Sequence, residues 1–342
     1  MRAIFKTDFD LKKQIKVKSK HTGIKLFVTP RYIDHYVQHD YEAFSVEVVQ
    51  RLIKDYDCFA DIGAHYGYFA LVAQQQQTQI ELVAVEPVRE NFVLLKKNLE
   101  LTKGKFAAYN IAASNEKAEV TFNIIEASDS CGFYNHPLAE IKETVTVQSD
   151  KVDNVLDSKR KLFIKIDVEG HEIKVLEGMK KILAQKPPLL IEFNPDCQKM
   201  AGFTPEAMLQ RLAKLGYVIY FLNESSYEYL QYNHRKPKNW QTIIDVHGYC
   251  NILCVAPSQK TKVNNVLNSL QIKKFIGSDV PINENPTKTL AKTKASFEMK
   301  IAKLESQKRS GSQHLSRIVK SDYFKAWQWL VRLFKKARHE PS

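Results

Sequence analysis

Three short stretches of the chain hold side chains whose types and spacing suit binding a charged nucleoside and moving a proton. The first, Asp61-Ile-Gly63-Ala-His65-Tyr-Gly67, ends an apolar run and opens a helical pattern. Its glycines let the backbone turn sharply and lie close to a ligand at a helix start. The stretch is neither the G-x-G-x-x-G of dinucleotide enzymes nor the G-x-x-x-x-G-K-[ST] of phosphate-binding loops, which disfavours a pyrophosphate cradle. Asp61, ahead of the glycines, would repel phosphate and attract an ammonium group. The second stretch, Val85-Glu86-Pro87, sets an acid at the end of the next apolar run, 25 residues after Asp61. A carboxylate there accepts bonds from both ribose hydroxyls. Together these point to a nucleoside carrying an amino acid. S-adenosylmethionine (SAM) fits: an adenosine for Glu86, a positive sulfonium, and a methionyl ammonium for Asp61.

The third stretch begins at Asp167, directly after the apolar run Leu162 to Ile166, and includes His171. Methyl transfer to a hydroxyl needs the oxygen in line with the S–CH₃ bond, so positioning supplies much of the rate and a base takes the proton. Asp167, at the carboxyl edge of a strand, is the first candidate base. His171, with a side chain that titrates near neutrality, is the second, against a plain helix-start role bonded to backbone or solvent. Asp167, Glu169, Glu192 and Asn194 converge at two strand ends and are oxygen ligands of the kind that hold Mg²⁺. Against that, Glu169 and Glu172 are well placed simply to favour the following helix N-terminus, and no metal is assigned. A ribose-methylating Lys-Asp-Lys-Glu set can be drawn from Lys165, Asp167, Lys174 and Glu192. An RNA enzyme is therefore the alternative function, although two of these lysines occupy ordinary strand and helix positions.

The elements that must position these residues alternate. Apolar runs Cys58 to Ile62, Leu82 to Val85, Leu162 to Ile166 and Leu189 to Ile191 are each followed by helical sequence, as in a parallel sheet covered on both faces. Helices are expected over Tyr68 to Gln75, Pro87 to Leu101, Glu172 to Ala184 and Thr204 to Leu215, the last with Thr204 capping and Pro205 at its first position. Strands Tyr217 to Leu222 and Asn251 to Ala256 close the sheet, with Glu224 to Tyr249 an insertion that reads as a surface hairpin or as a wall over a ligand. Before Cys58, short alternations around Ile24, Leu26 and Val28 read as strands, and Ser45 reads as the cap of a helix bearing Val46, Val49, Leu52 and Ile53.

The chain resembles the FkbM-type SAM-dependent methyltransferases over about residues 40 to 256. The likeness lies in Phe59-Ala-Asp-Ile-Gly-Ala-His-Tyr-Gly-Tyr-Phe-Ala-Leu71, Val83-Ala-Val-Glu-Pro87 with Asn91 and Asn98, Asn110-Ile-Ala-Ala-Ser114, Ile164-Lys-Ile-Asp-Val-Glu-Gly-His-Glu172, Val175-Leu-Glu-Gly178 and Leu190-Ile-Glu192. The Asp-Val-Glu-Gly signature is the specific part. Where the family often has Asn after Gly-Ala, this chain has His65. The resemblance implies a class I, Rossmann-like α/β fold: a seven-stranded sheet with one antiparallel strand and helices on both faces. It implies O-methylation of a sugar, glycan or other hydroxylated metabolite. Carried over by position, Asp61, Gly63, His65 and Gly67 hold the methionyl part, Glu86 the ribose, and Ala112 and Ala113 the adenine region. Asp167, Glu169, His171 and Glu172 line the reacting end.

Composition sets the frame. The 342 residues are 44% hydrophobic and 26% charged, which excludes wholesale disorder. The net charge of +13 is concentrated at the ends: residues 1–25 carry eight basic and two acidic side chains and 258–342 eighteen and six, leaving 26–257 acidic. Basicity thus describes the extensions and not the central fold. Residues 1–45 read as a preamble, 46–257 as the methyltransferase domain, 258–286 as a helix and linker, and 287–342 as a basic helical tail. In that tail Phe324, Trp327, Leu330, Val331 and Phe334 recur at helical spacing beside five basic residues. It would suit an anionic membrane surface or a pathway enzyme, and a non-catalytic interaction protein using these helices is a further alternative. Nucleic acid is the less favoured partner. Five cysteines without a C-x-x-C pair suit a reducing compartment. The expected location is cytoplasmic, with a peripheral place on the inner membrane face, because no apolar run reaches the roughly 18 residues of a membrane span.

Overall fold

The computed structural model describes residues 13–37, 41–125, 132–134, 141–244 and 248–276. The basic tail over 287–342 lies outside the described residues, as does Cys131. The strands, in chain order, are β1 (Ile15–Lys18), β2 (Lys25–Val28), β3 (Cys58–Ile62), β4 (Glu81–Val85), β5 (Phe106–Tyr109), β6 (Ala112–Ser114) and β7 (Ala118–Ile125). There follow β8 (Ile141–Lys151), β9 (Leu162–Ile166), β10 (Leu189–Phe193), β11 (Val218–Leu222), β12 (Tyr229–Gln231) and β13 (Cys250–Val255).

The central sheet has the order β12-β11-β13-β10-β9-β3-β4-β5. Its five strands from β10 to β5 are parallel, and β13 runs antiparallel to both of its neighbours. The expected Rossmann-like α/β sheet is present, but with eight strands and not seven. The eighth, β12, comes from the insertion after β11, which folds back antiparallel on the sheet's edge with Leu222 opposite Tyr229. A separate three-stranded sheet, β6-β8-β7, follows β5.

Because side chains alternate across a strand, each strand feeds both faces. Phe59, Leu82, Phe163, Leu190 and Leu253 point to one side, against helices Ala43–Leu52, Tyr68–Gln76 and Arg89–Leu99 and against Val263, Leu267 and Leu270. Ala60, Val83, Ile164, Ile191 and Ile252 point to the other, against helices Glu172–Glu177, Lys180–Leu183 and Pro205–Lys214. The strands β3, β9 and β10 are buried throughout, which is why they read as unbroken apolar runs.

Three local expectations change. The helix expected over Glu172 to Ala184 is two, broken at Gly178, where the backbone lies against Ser114. The helix expected from Pro87 begins at Arg89. Ser45 is inside helix Ala43–Leu52 and does not cap it; Glu42, in a left-handed conformation, holds the cap position. The free N–H groups of Phe44 and Ser45 donate instead to Glu224, 180 and 179 residues away, at 2.9 and 3.2 Å. A carboxylate is the favoured partner for a helix N-terminus. This ties the preamble to the chain just after β11. A second tie is Asn98: its Oδ1 accepts from Phe27 N–H at 2.6 Å while its Nδ2 donates to the carbonyls of Phe27 and Tyr66 at 2.9 and 2.8 Å.

The chain beyond Leu270 forms a second unit, Gln271–Ser342. Among the described residues no helix is long and apolar enough to cross a membrane.

Candidate functional site

The site is built on the carboxyl ends of β3, β9 and β10 and the amino end of antiparallel β13, on the face that carries Phe59 and Phe163. Asp61 on β3 is in register with Lys165 on β9, and Leu190 of β10 is in register with Lys165. Two positions further on, Glu192 pairs with Asn251 on β13. Period-two alternation therefore lines up Asp61, Lys165, Glu192 and Asn251 as a polar band closing an otherwise apolar face.

The loop after β3 is shaped by two glycines. Gly63 has a φ of +80°, and a Cβ there would lie 1.7 Å from the Asp167 carbonyl oxygen. Backbone thus meets backbone between the loop and the exit of β9. Gly67, with a φ of +81°, holds the cap position of helix Tyr68–Gln76. The N–H groups of Gly63 and Ala64 both donate to Val85 O, at 2.9 and 3.0 Å, fastening the loop to the end of β4. His65, also left-handed, donates its N–H to Glu86 Oε2 at 2.9 Å, and its ring stacks on Tyr66. The other oxygen of Glu86 accepts from Val88 N–H at 3.0 Å and Asn91 Nδ2 at 3.4 Å. Burial pushes the Glu86 carboxyl up to about 7, and these donors hold it below a still higher value. Asn110 fixes the backbone beneath it by donating to the carbonyls of Glu86 and Pro87, both at 2.9 Å. Ala112 and Ala113 are buried in β6.

Asp61 is 1% exposed and its Oδ1 has no hydrogen-bond partner among the described residues. Burial raises its carboxyl to about 6, with Lys165 pulling the other way. Lys165, 4% exposed, donates to Asp167 Oδ2 at 2.7 Å and lies over the ring of Phe69. Burial works against its charge, but Asp167, Glu42 and Asp61 outweigh that and hold it protonated.

Glu42, Asp167 and Glu192 each offer an oxygen within 4.8 Å of the others. Burial first, then Asp167 and Glu224 against the opposing pull of Lys165, raises Glu42 to about 8. Burial first, then Asp167 and Glu169, raises Glu192 well above the carboxylate range. The oxygen set read from the sequence is therefore regrouped. Asp167 and Glu192 come together with Glu42. Asn194 is spent on capping helix Pro195–Met200, accepting from Asp196 and Cys197 N–H at 3.2 Å. Glu169, left-handed at φ +53°, accepts from the Cys197 thiol at 3.6 Å.

His171 stands apart from this band. Its Nε2 is bonded to Ser114 Oγ and its Nδ1 to Tyr134 Oη, both at 3.0 Å, and Phe133 stacks on the ring at 3.7 Å. Burial lowers it to about 4, so the ring is neutral at ordinary pH. Glu172 accepts from Val168 and Gly170 N–H at 3.3 and 3.2 Å and from Gln198, holding the turn after Asp167. Lys174 pairs with Glu177 at 3.6 Å on the helical surface, so Lys165, Asp167, Lys174 and Glu192 do not assemble as one set.

Sequence reasoning did not find Glu42, Glu224 or Asn251. Each acts only through contacts across the fold. The acid at Glu42 had one local signal, its place beside a helix start, but that start reads from the sequence as Ser45.

Residues 57–219 match the family model for the methyltransferase FkbM domain. The chain is 26% identical over 172 residues to the hexuronic acid methyltransferase AglP of Haloferax volcanii, covering 49% of this chain and 66% of that protein. It is 28% identical to Methyltransferase 1 of Beauveria bassiana, covering 35% of this chain and 57% of that one. It thus spans less than two thirds of the length of the curated relatives it matches. Among solved structures, precorrin-6y C5,15-methyltransferase of Geobacter metallireducens aligns with a TM-score of 0.34 at 12% identity, over 63% of this chain and 88% of that one.

Proposed function

Residues 57–219 belong to the FkbM methyltransferase family, and from that premise we propose that the chain transfers a methyl group from SAM to a hydroxyl of a sugar or related hydroxylated metabolite. One observation carries the reading. The backbone of the glycine loop joins the ribose-type acid Glu86 to the acid Asp167, its His65 N–H donating to the Glu86 carboxylate and its Gly63 lying against the Asp167 carbonyl. The donor fits the residues present: Asp61 Oδ1 is a buried acceptor lacking a donor, which an ammonium group supplies. The hexuronic acid methyltransferase relative supports a sugar acceptor.

SAM, when bound, supplies a methyl carbon made electrophilic by the attached sulfonium. Asp61 and the Gly63–Gly67 turn hold its methionyl end, Glu86 accepts from the ribose hydroxyls, and Ala112 and Ala113 border the adenine. Asp167 would accept the acceptor's hydroxyl hydrogen on Oδ1, orient that oxygen towards the bound donor and hold the proton that methylation of the hydroxyl releases. Lys165, bonded to Oδ2, fixes the carboxylate's orientation. His171, neutral and bonded at both nitrogens, positions the turn at 168–171 against Ser114 and Tyr134. Glu169 borders the same turn.

The test is transfer of label from methyl-tritiated SAM to a panel of hexuronic acids, neutral sugars and RNA. Label on sugar that resists saponification marks an ether and supports the proposal. Label on RNA alone, or none on any sugar hydroxyl, would sink it.

A further inference from the structure

The polar band holds more negative than positive groups, and several of its buried acid oxygens lack donors among the described residues. Glu42 and Glu192 are 7% and 8% exposed, yet Glu42 Oε2 and Glu192 Oε2 accept no hydrogen bond among the described residues. Asn251, fully buried and in register with Glu192, has its Oδ1 equally unmatched, while its amide nitrogen donates to Glu224 at 3.3 Å. Native interiors seldom leave buried acceptors so placed, and a cluster of them facing one another calls for a cation. The ammonium of Lys165 is committed to Asp167 Oδ2 at 2.7 Å, which leaves Oδ1 of Asp167 open.

We propose that Glu42, Asp167 and Glu192 form a binding site for a hard divalent cation of the Mg²⁺ or Mn²⁺ class. The donor set is three carboxylate oxygens, which suits such ions and not the soft metals that favour thiolate or imidazole. Its size also fits. Oxygens on opposite sides of a divalent ion stand about 4 to 5 Å apart, twice a bond of about 2.0–2.6 Å, and the three oxygens here lie within 4.8 Å of one another. The ligands are also held from outside. Glu42 is pinned at the start of helix Ala43–Leu52, itself anchored by Glu224, while Glu192 sits on a central strand and Asp167 directly follows one. An ion there shares Asp167 Oδ1 with the acceptor's hydroxyl, one lone pair to each, and favours an acceptor with two adjacent oxygens, one to coordinate and one to react. That last step rests on the methyl-transfer reading; binding of the ion does not.

The experiment is a Mn²⁺ titration of the intact chain without SAM or acceptor, followed by electron paramagnetic resonance of the free ion. The isosteric variants Glu42→Gln and Glu192→Gln are run beside it, each checked for native circular dichroism. We expect one Mn²⁺ per chain, displaced by Mg²⁺, with affinity at least tenfold weaker in each folded variant. A free-ion signal undiminished by the intact protein overturns the site, as does equal depletion by the intact protein and a folded variant. Titration of the same preparation with S-adenosylhomocysteine reports on the methyl-donor reading separately, so the two can fail independently.

Discussion

Gly63→Ala is expected to cost several times what Gly202→Ala costs, and the difference measures how tightly the glycine loop is joined to Asp167. Both glycines are left-handed, at φ +80° and +81°, so each substitution carries a similar conformational penalty of about 1 kcal/mol. They differ in what the new Cβ meets: nothing within 4 Å at Gly202, but the Asp167 carbonyl oxygen at 1.7 Å at Gly63. Opening that contact to 3.0 Å, below which real Cβ atoms are essentially never found, moves one strand end by about 1.3 Å. Three hydrogen bonds straddle the junction, from Gly63 and Ala64 to Val85 O and from Asp167 N–H to Ile62 O, at 2.9, 3.0 and 2.9 Å. Losing two of them at about 1 kcal/mol each brings the total to roughly 3 kcal/mol, against about 1 for the control. Urea unfolding followed by circular dichroism gives both values, and S-adenosylhomocysteine titration is expected to show weakened binding in Gly63→Ala alone. Equal stability of the two variants would refute the close approach, and with it the claim that the loop positions Asp167.

Other expectations follow from the buried polar groups. The Glu86 carboxyl is raised from 4.5 to about 7, mainly by burial; a raised acid contributes stability that is present below its unfolded value and lost as pH rises through the folded one. From pH 5 to 8 the unfolding free energy of the wild type should therefore fall relative to Glu86→Gln by up to about 3 kcal/mol, read by urea titration at each pH; a constant difference would show that Glu86 is ordinarily solvated. Asn98→Asp keeps an acceptor for Phe27 N–H but turns a charged oxygen towards the carbonyls of Phe27 and Tyr66. It should lower the melting temperature more than Asn98→Ala at pH 8, with the gap narrowing at pH 5 as the acid gains a proton to donate; the reverse order would contradict the assignment of its amide nitrogen.

Much of the site was legible because its parts are local. Asp61, Glu86 and Asp167 each stand at the end of an apolar run, and the buried strands β3 and β9 match Cys58 to Ile62 and Leu162 to Ile166 at both ends. What was not legible depends on partners far along the chain. Ser45 looks like a cap from its own neighbourhood, and only the fold brings Glu224 to the helix start in its place. The three-stranded sheet was missed although β8 alternates, with Val145, Val147 and Ser149 on its covered face and exposed Thr144, Thr146 and Gln148 on the other, because the small cluster it covers is built on Val88 and Phe122 from elsewhere in the chain. His171 looks like a base by residue type, and its occupied nitrogens appear only when Ser114 and Tyr134 are seen around it. The eighth strand came from an insertion rich in polar and aromatic residues, whose pairing with β11 is set at the sheet edge.

The most direct measurement is calorimetric titration of the intact chain with S-adenosylhomocysteine, the product of methyl transfer, with Glu86→Ala as control. Binding in the micromolar range with one site per chain, lost or greatly weakened in a folded Glu86→Ala, is the predicted result. No heat of binding in the intact protein, or equal binding in the variant, would contradict the assignment of this strand-end loop as the methyl-donor site.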